Sequence, residues 1–348
     1  MARIAVAMSG GVDSAVAALL LKQQGHELCG VTIATSAASA QEPLRDETVI
    51  RAQQACAGLD IPHLRIDFSA QFEADVVADF LACHAAGLTP NPCIMCNPAL
   101  KWGSLLRYAI GEGYEYLATG HYARVRQNDD RYRLLRGVDP DKDQSYMLCR
   151  LSQEQLARTV LPLGEYTKMQ VRQLAAEARL PQAETPESQD LCFVAAEDYG
   201  EFLAERLELL PGPILDRAGE ILGWHGGLAL YTVGQRKGLG IAHSEPLFVI
   251  RKDAESNTLI VGPREAALSS SCGLGDVNWV SVAAPADGAS ISGQLEVRYR
   301  TRPVPAVLTV TGDQATVRLA TPQVCAPGQA GVLYDGDVLV CGGTIEEQ

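Results

Sequence analysis

Residues 3–8, Arg-Ile-Ala-Val-Ala-Met, form a short apolar run that ends abruptly at Ser9-Gly10-Gly11, and residues 12–24 then carry Val16, Leu19 and Leu20 on one helical face up to Gly25. A strand, a glycine turn and a helix in that order open a parallel sheet, because a parallel neighbour is reached only through a crossover. The alternation continues. A second buried strand is predicted at 27–34 and a helix at 46–57 opened by Asp46, followed by strands at 62–67 and 115–119 with helices near 70–85 and 99–111 between them. Further helical signals lie at 152–158 and 167–179. Roughly 120 residues of this pattern predict an α/β fold with a doubly wound parallel sheet.

The texture changes near residue 197. One helix, 197–209, is followed by Pro211-Gly212-Pro213 and by short strands with glycine turns. Beyond 272 only strands and turns remain, at 276–282, 291–300, 305–311, 314–319, 331–334 and 337–341, an even spacing that predicts a small β-barrel. At 348 residues the chain exceeds one ordinary core. The expected division is an α/β nucleotide domain at 1–196, a small central α+β domain at 197–271 and a C-terminal barrel at 272–348.

Hydrophobic residues make up 47% of the chain and charged residues 20%, the balance of a globular protein. No apolar run approaches the ~18 residues that a membrane span needs. The apolar part of Met1–Met8 is too short for a signal peptide, so the expected location is cytoplasmic, with no membrane partner. A net charge of −13 argues against general nucleic-acid binding and favours a monomer. Arg124, Arg126, Arg131, Arg133 and Arg136 nevertheless cluster, as do Arg298, Arg300 and Arg302, and from charge alone these read as solvated strand faces.

Ser9-Gly10-Gly11-Val12-Asp13-Ser14 sits at the carboxyl end of the first strand, where parallel sheets bind ligands. Paired glycines let backbone N–H groups approach a phosphate, the serines add hydroxyl donors, and the helix N-terminus favours an anion. Asp13 is placed to hold a magnesium ion. The segment lacks the Gly-Lys-Ser/Thr ending of a Walker loop and is not G-x-G-x-x-G. It resembles the PP-loop of ATP pyrophosphatases, which implies release of pyrophosphate and transfer of AMP to a substrate oxygen.

Ten cysteines are spread along the chain, and without an export signal they are expected to be reduced. Cys29, Cys56, Cys83, Cys149, Cys272, Cys325 and Cys341 read as small buried hydrophobes. Thr89-Pro90-Asn91-Pro92-Cys93-Ile94-Met95-Cys96-Asn97 is a proline-stiffened loop before the helix expected near Ala99, a position that would stabilise a thiolate. Roughly 95 residues later comes Glu187-Ser188-Gln189-Asp190-Leu191-Cys192-Phe193. Two cysteines beside an ATP site suggest sulfur delivery, one carrying a persulfide and the other resolving it as a disulfide. Cys93, Cys96 and Cys192 could instead hold an iron–sulfur cluster through three thiolates, and Cys192 alone could be structural. Zinc lacks a fourth ligand.

Taken together, Asn91–Asn97, ATGHYAR (118–124), LLRGVDPDKDQSYML (134–148), ESQDLCF (187–193), YTVGQRKGLGI (231–241), VRYR (297–300), PGQA (327–330) and YDGDVLVCGG (334–343) resemble the bacterial tRNA-specific 2-thiouridylase family, over nearly the whole chain. The resemblance implies an RNA-binding barrel and a tRNA-uridine 2-sulfurtransferase. ATP would lie on Ala7, Met8, Ser9, Gly10, Gly11, Val12, Asp13 and Ser14, with Ile33 and Gly120 lining the adenosine. The uracil O2 attacks the α-phosphate. Cys192 is implied as the persulfide carrier and Cys96 as the nucleophile that releases its sulfur, which displaces AMP at C2. Asn91, Pro92 and Cys93 would meet the target base; Lys142, Asp143, Gln144, Tyr299 and Arg300 would meet tRNA. His121 and Gln329 are further implied RNA contacts, although by themselves they read as a core histidine and a turn glutamine. The implied partners are glutamate, glutamine and lysine tRNAs and a protein that donates persulfide sulfur.

Three features depart from the family pattern. The segment Ala34–Gln41 is short, Asp190 stands where glycine is usual, and Cys93 replaces a frequent aspartate, a three-cysteine subtype that keeps the iron–sulfur alternative open. Outside the family, a PP-loop ligase or amidotransferase acting on a metabolite would need neither Cys96, Cys192 nor the barrel, and a non-catalytic cluster or RNA-binding module would not need Ser9–Ser14.

Overall fold

The structure is a computed structural model that describes residues 1–35, 47–183, 191–194 and 199–347. Strands β1 (Arg3–Ala7), β2 (Glu27–Ala34), β3 (His63–Asp67), β4 (Tyr116–Ala118) and β7 (Thr159–Val160) form a parallel sheet in the order β3-β2-β1-β4-β7. The order reverses between β2 and β4, beside β1, so the loop that leaves β1 opens at the crevice where such sheets take ligands. Helix α1 (Val12–Gln23) is buried along most of its length. It lies between the sheet and the helix Lys168–Glu177, which explains why almost every residue from Val12 to Leu21 is apolar. Helix α2 (Glu47–Gly58) covers the neighbouring strand; the expected opening residue Asp46 lies outside the described residues.

The helix expected from 99 begins earlier, at Pro92. Asn91 caps it, its side chain accepting from the Cys93 N–H at 3.2 Å, and proline is tolerated at the first helical position. The turns at Asn97–Leu105 are π-helical. Pro98 has no N–H to offer the preceding turn, so the helix widens rather than breaks. A Cβ on Gly103 would stand 2.9 Å from the Pro98 carbonyl oxygen, and the Gln155 amide donates to the carbonyls of Pro98 (3.1 Å) and Trp102 (3.2 Å).

The hairpin β5 (Ala123–Asn128) and β6 (Arg131–Arg136) leaves the parallel sheet altogether. In the central part, β8 (Gly212–Leu215), β9 (Ile221–His225), β10 (Phe248–Asp253) and β11 (Thr258–Gly262) make a four-stranded sheet, and the helix expected over 197–209 is described as Tyr199–Ala204. The barrel strands are β12 (Ser269–Trp279), β13 (Ser290–Glu296), β14 (Val304–Thr311), β15 (Gln314–Gln323), β16 (Ala330–Asp335) and β17 (Val338–Ile345). They run β12-β15-β14-β13-β16-β17, and β17 pairs back onto β12 to close the barrel. Strand β6 adds to β17, so the hairpin from the nucleotide half extends the barrel sheet. Leu134, Tyr146 and Leu148 share one buried cluster with Ala330, Val332, Tyr334 and Leu339. The strand expected over 291–300 stops at Glu296; residues 297–300 turn, with Arg300 at φ +61° and its N–H donating to Glu296 Oε1 at 3.0 Å.

Candidate active site

The loop between β1 and α1 is folded tightly. Gly10 has φ +71°, and a Cβ there would lie 2.6 Å from the Thr48 carbonyl oxygen, so the position requires glycine. Gly11 caps α1 with no side-chain bond of its own. The Ser14 hydroxyl donates to the Gly11 carbonyl (3.0 Å) and accepts from the Ser9 N–H (3.2 Å), and the Ser9 hydroxyl donates to it at 3.3 Å. The two hydroxyls are thus held together at the N-terminal turn of α1, a cradle whose first N–H groups favour an anion.

Asp13 does not present a free carboxylate to a cation. Its two oxygens accept from Lys168 Nζ at 2.7 and 2.8 Å, and Oδ1 also accepts from the Tyr122 hydroxyl at 2.7 Å. Gly120 lies directly against this turn. A Cβ on it would meet Asp13 C at 2.8 Å and Ser14 N at 2.9 Å, a close approach that only glycine permits.

From Gly120 the site passes to the thiols. His121 shares a 2.6 Å hydrogen bond with Thr119 Oγ1, and its ring is tilted 49° to that of Trp102 at 5.6 Å. Burial, with the charge of Lys101 second, holds its pKa well below the usual imidazole value, so it is neutral. Lys101 also acts electrostatically on Cys93, Cys96 and Cys192, and the thiols act on one another. One small region therefore holds all three cysteines. Cys96 and Lys101 are five apart, roughly 140° around an ordinary α-helix. The i→i+5 π-turns bring such positions much closer to one face.

Cys192 and Phe193 occupy the corners of a tight turn in which the Val194 N–H donates to the Leu191 carbonyl at 3.2 Å. Phe193 points inward and meets Phe72, Phe80 and Phe202 edge-on, each at 5.5 Å. Cys192 is exposed. The preceding residues Glu187–Asp190 lie outside the described residues, Asp190 among them.

The thiols depart from expectation. Burial pushes Cys93 and Cys96 above the ordinary thiol value, and Lys101 offsets this only in part. Cys192 is pushed up to about 11, first by the protein crowded around it and then by Cys96 and Cys93. The residue as a whole is exposed, so the surrounding protein crowds the thiol without covering the rest of the turn. In the free protein, burial outweighs the stabilisation that the helix N-terminus offers a thiolate at Cys93 and Cys96. Among the described residues, no group of three or more His, Cys, Asp or Glu is arranged to hold a metal ion, so the cysteines do not fit an iron–sulfur cluster as they stand.

The remaining sequence-implied residues occupy varied settings. The Asp143 carboxylate faces inward, accepting from Arg136 Nη1 (2.8 Å), the Gly137 N–H (2.9 Å) and the Ser145 N–H (3.0 Å). Gln144 Oε1 accepts from the Tyr122 N–H, and Lys142 stands half-buried beside them. Gln329 donates to the Thr89 carbonyl at 2.8 Å, and the Thr89 N–H donates to Pro327, so the barrel clasps the loop that leads to Asn91, Pro92 and Cys93. Lys252 of the central sheet reaches the same loop at Leu88, 3.1 Å. Tyr299 packs against Tyr146 at 5.9 Å, and the exposed Arg300 lies over its ring. Ile33 is half-buried on β2. Of the arginines on the hairpin, Arg124 pairs with Asp337, Arg126 with Glu165, and Arg136 with Asp143 and Glu296, so these three are tied within the protein rather than merely solvated. Lys168 and Lys101 were not singled out in the sequence. Lys101 lies five residues after Cys96 in the same helix, a signal that is visible only once the helix is known to widen.

Residues 2–196 match the family model described as tRNA methyl transferase HUP domain, residues 200–263 the tRNA methyl transferase PRC-barrel domain, and residues 269–345 the aminomethyltransferase beta-barrel domain. The chain is 48% identical over 352 residues to a tRNA-specific 2-thiouridylase MnmA from Synechococcus sp. (strain JA-2-3B'a(2-13)), covering 99% of this chain and 94% of that one. It is 45% identical over 358 residues to the protein of that name from Geotalea uraniireducens, with 99% and 95% covered. A third, from Chloroflexus aggregans, is 45% identical over 358 residues, with 99% and 98% covered.

Proposed function

The chain belongs to the tRNA-specific 2-thiouridylase family, and from that premise we propose that it converts a tRNA uridine to 2-thiouridine, consuming ATP and releasing AMP and pyrophosphate. The observation that carries this is the continuity of the site. Gly120 touches the phosphate loop, and His121, its neighbour, shares the field of Lys101 with three cysteines.

In this reading Ser9, Ser14 and the first N–H groups of α1 hold the polyphosphate, and Ile33 and Gly120 flank the adenosine. The uracil O2 attacks the α-phosphate and pyrophosphate leaves, turning a poor leaving group into AMP. The Cys96 sulfur then bonds to Cys192 Sγ, giving a disulfide and freeing the terminal sulfur of a Cys192 persulfide. That sulfur attacks C2, and AMP departs with the former O2. The raised pKa values oppose attack by free Cys96 at neutral pH, so tRNA and nucleotide have to complete the environment that generates its thiolate. Asn91, Pro92 and Cys93 are assigned in this reading to the target base, and Lys142, Asp143, Gln144, Tyr299, Arg300, His121 and Gln329 to the RNA side, Asp143 and Gln329 by holding the backbone. The wobble uridine of glutamate, glutamine and lysine tRNAs, a persulfide-donating partner protein, a monomeric state and a cytoplasmic location complete the proposal. Magnesium would accompany the nucleotide, with Asp13 unsuited to ligate it while paired with Lys168.

A methyl-transfer reading, which the wording of two domain descriptions invites, leaves the three thiols beside the phosphate loop without a role. Cys96→Ser and Cys192→Ser are each expected to abolish 2-thiouridine while leaving ATP binding intact. Mass spectrometry of tRNA nucleosides decides the matter, and normal 2-thiouridine with either variant would sink the proposal.

A further inference from the structure

We infer that Lys168 is a phosphate-contacting residue of the nucleotide site and that Asp13 is the clamp that presents it, an inference that rests on ATP occupying the Ser9–Ser14 loop. Lys168 is the first residue of its helix, and that position is fixed from several sides. Thr167 accepts from the Gln170 N–H while the Gln170 side chain accepts from the Thr167 N–H, a reciprocal cap. The Lys168 N–H itself donates to Asp139 Oδ2 at 2.8 Å. From this anchored start the side chain, 8% exposed as a residue, runs to α1 and sets its ammonium on both oxygens of Asp13 at 2.7 and 2.8 Å.

Asp13 is the second residue of α1, so its charge stands at the mouth of the cradle. The cradle's own donors, two hydroxyls and backbone N–H groups, are neutral. A carboxylate there repels a triphosphate unless a cation cancels it. Lys168 supplies that cancellation in the free protein. A lysine ammonium is a compact charge on a flexible stem, suited to phosphate as well as to carboxylate. When the nucleotide arrives, it can keep one oxygen of Asp13 and trade the other for a β- or γ-phosphate oxygen, then stay with the pyrophosphate as the α-phosphate passes to the uridine. The Tyr122 hydroxyl, at 2.7 Å from Asp13 Oδ1, keeps that oxygen bonded through the exchange.

The test is calorimetric titration of the full chain with ATP and, separately, with AMP, which lacks the phosphates in question. Lys168→Met is expected to weaken ATP by roughly tenfold or more and AMP far less, since a charge-assisted hydrogen bond is lost only with ATP. Lys168→Arg should recover part of the loss. If Lys168→Met fails to fold because Asp13 is left uncompensated, the double variant Asp13→Asn with Lys168→Met removes that charge and carries the test, again with AMP bound and ATP weakened. ATP binding equal to wild type in the folded single or double variant overturns the proposal, as does an equal loss for ATP and AMP. Wild-type protein that takes up no ATP sinks the nucleotide reading itself, a different result.

Discussion

Phe193→Ala should uncouple sulfur transfer from nucleotide binding. Phe193 is the inward corner of the Leu191–Val194 turn and touches three aromatic rings at 5.5 Å, so it is the chief apolar anchor of Cys192 among the described residues. Removing a fully buried phenylalanine costs about 3–5 kcal/mol, and Phe193 is half-buried. About 2 kcal/mol is therefore the expected loss, felt by the docking of this turn rather than by the whole fold. That corresponds to roughly a thirtyfold shift toward the undocked turn. Formation of the Cys96–Cys192 disulfide under mild oxidation should slow by up to that factor, read by mass spectrometry of trapped peptides. ATP affinity should fall far less, because the phosphate loop and α1 pack in a separate cluster and only Ile33 of the proposed nucleotide residues adjoins the aromatic one. Phe193→Leu should retain most of the rate. A wild-type disulfide rate in Phe193→Ala would show that something other than this aromatic contact positions Cys192.

Gly120→Ala should weaken ATP binding while leaving the thiols reactive, because its Cβ would press on the Asp13 and Ser14 backbone at 2.8 and 2.9 Å; titration calorimetry on the variant checks it. Alkylation of Cys192 in the free protein should rise about tenfold per pH unit above neutrality and level off only near a pKa of about 11, since only the thiolate reacts. A plateau between roughly pH 7 and 8, near or below the ordinary thiol value, would contradict the crowding argument. Bound tRNA and ATP should move the profile down if they complete the site.

The parallel sheet and the phosphate loop were legible because both are local. A strand, two glycines and a helix occupy neighbouring residues, and their periodicities report burial directly. The hairpin 123–136 was not, since its alliance with β17 joins residues about two hundred positions apart and leaves no trace in local pattern. The thiolate expectation failed for a related reason. Sequence reveals a helix end, worth only about 0.3–1 kcal/mol to a charge, but not the crowding that outweighs it. Lys168 read only as part of a helix, because its meaning depends on Asp13, 155 positions away. Asp143 did carry a usable signal. An aspartate two residues before a serine is a common local turn, and its carboxylate accepts from that serine's N–H. Tyr299 and Arg300 fell inside a strand pattern that ends at Glu296, where Arg300 adopts a left-handed turn that periodicity could not reveal.

The hairpin that crosses from the nucleotide half to β17 bears on how the chain can be cut and how it came to be assembled. The outer wall of the barrel, with Val332, Tyr334 and Leu339, is the inner wall of a core that also holds Leu134, Tyr146 and Leu148. A fragment beginning at Ser269 would carry that wall into water and leave the β6-facing part of β17 as an unpaired edge, the surface on which strands aggregate. Three separable stretches of sequence thus do not amount to three portable folds. Grafting this barrel onto another enzyme would require moving residues 123–136 with it.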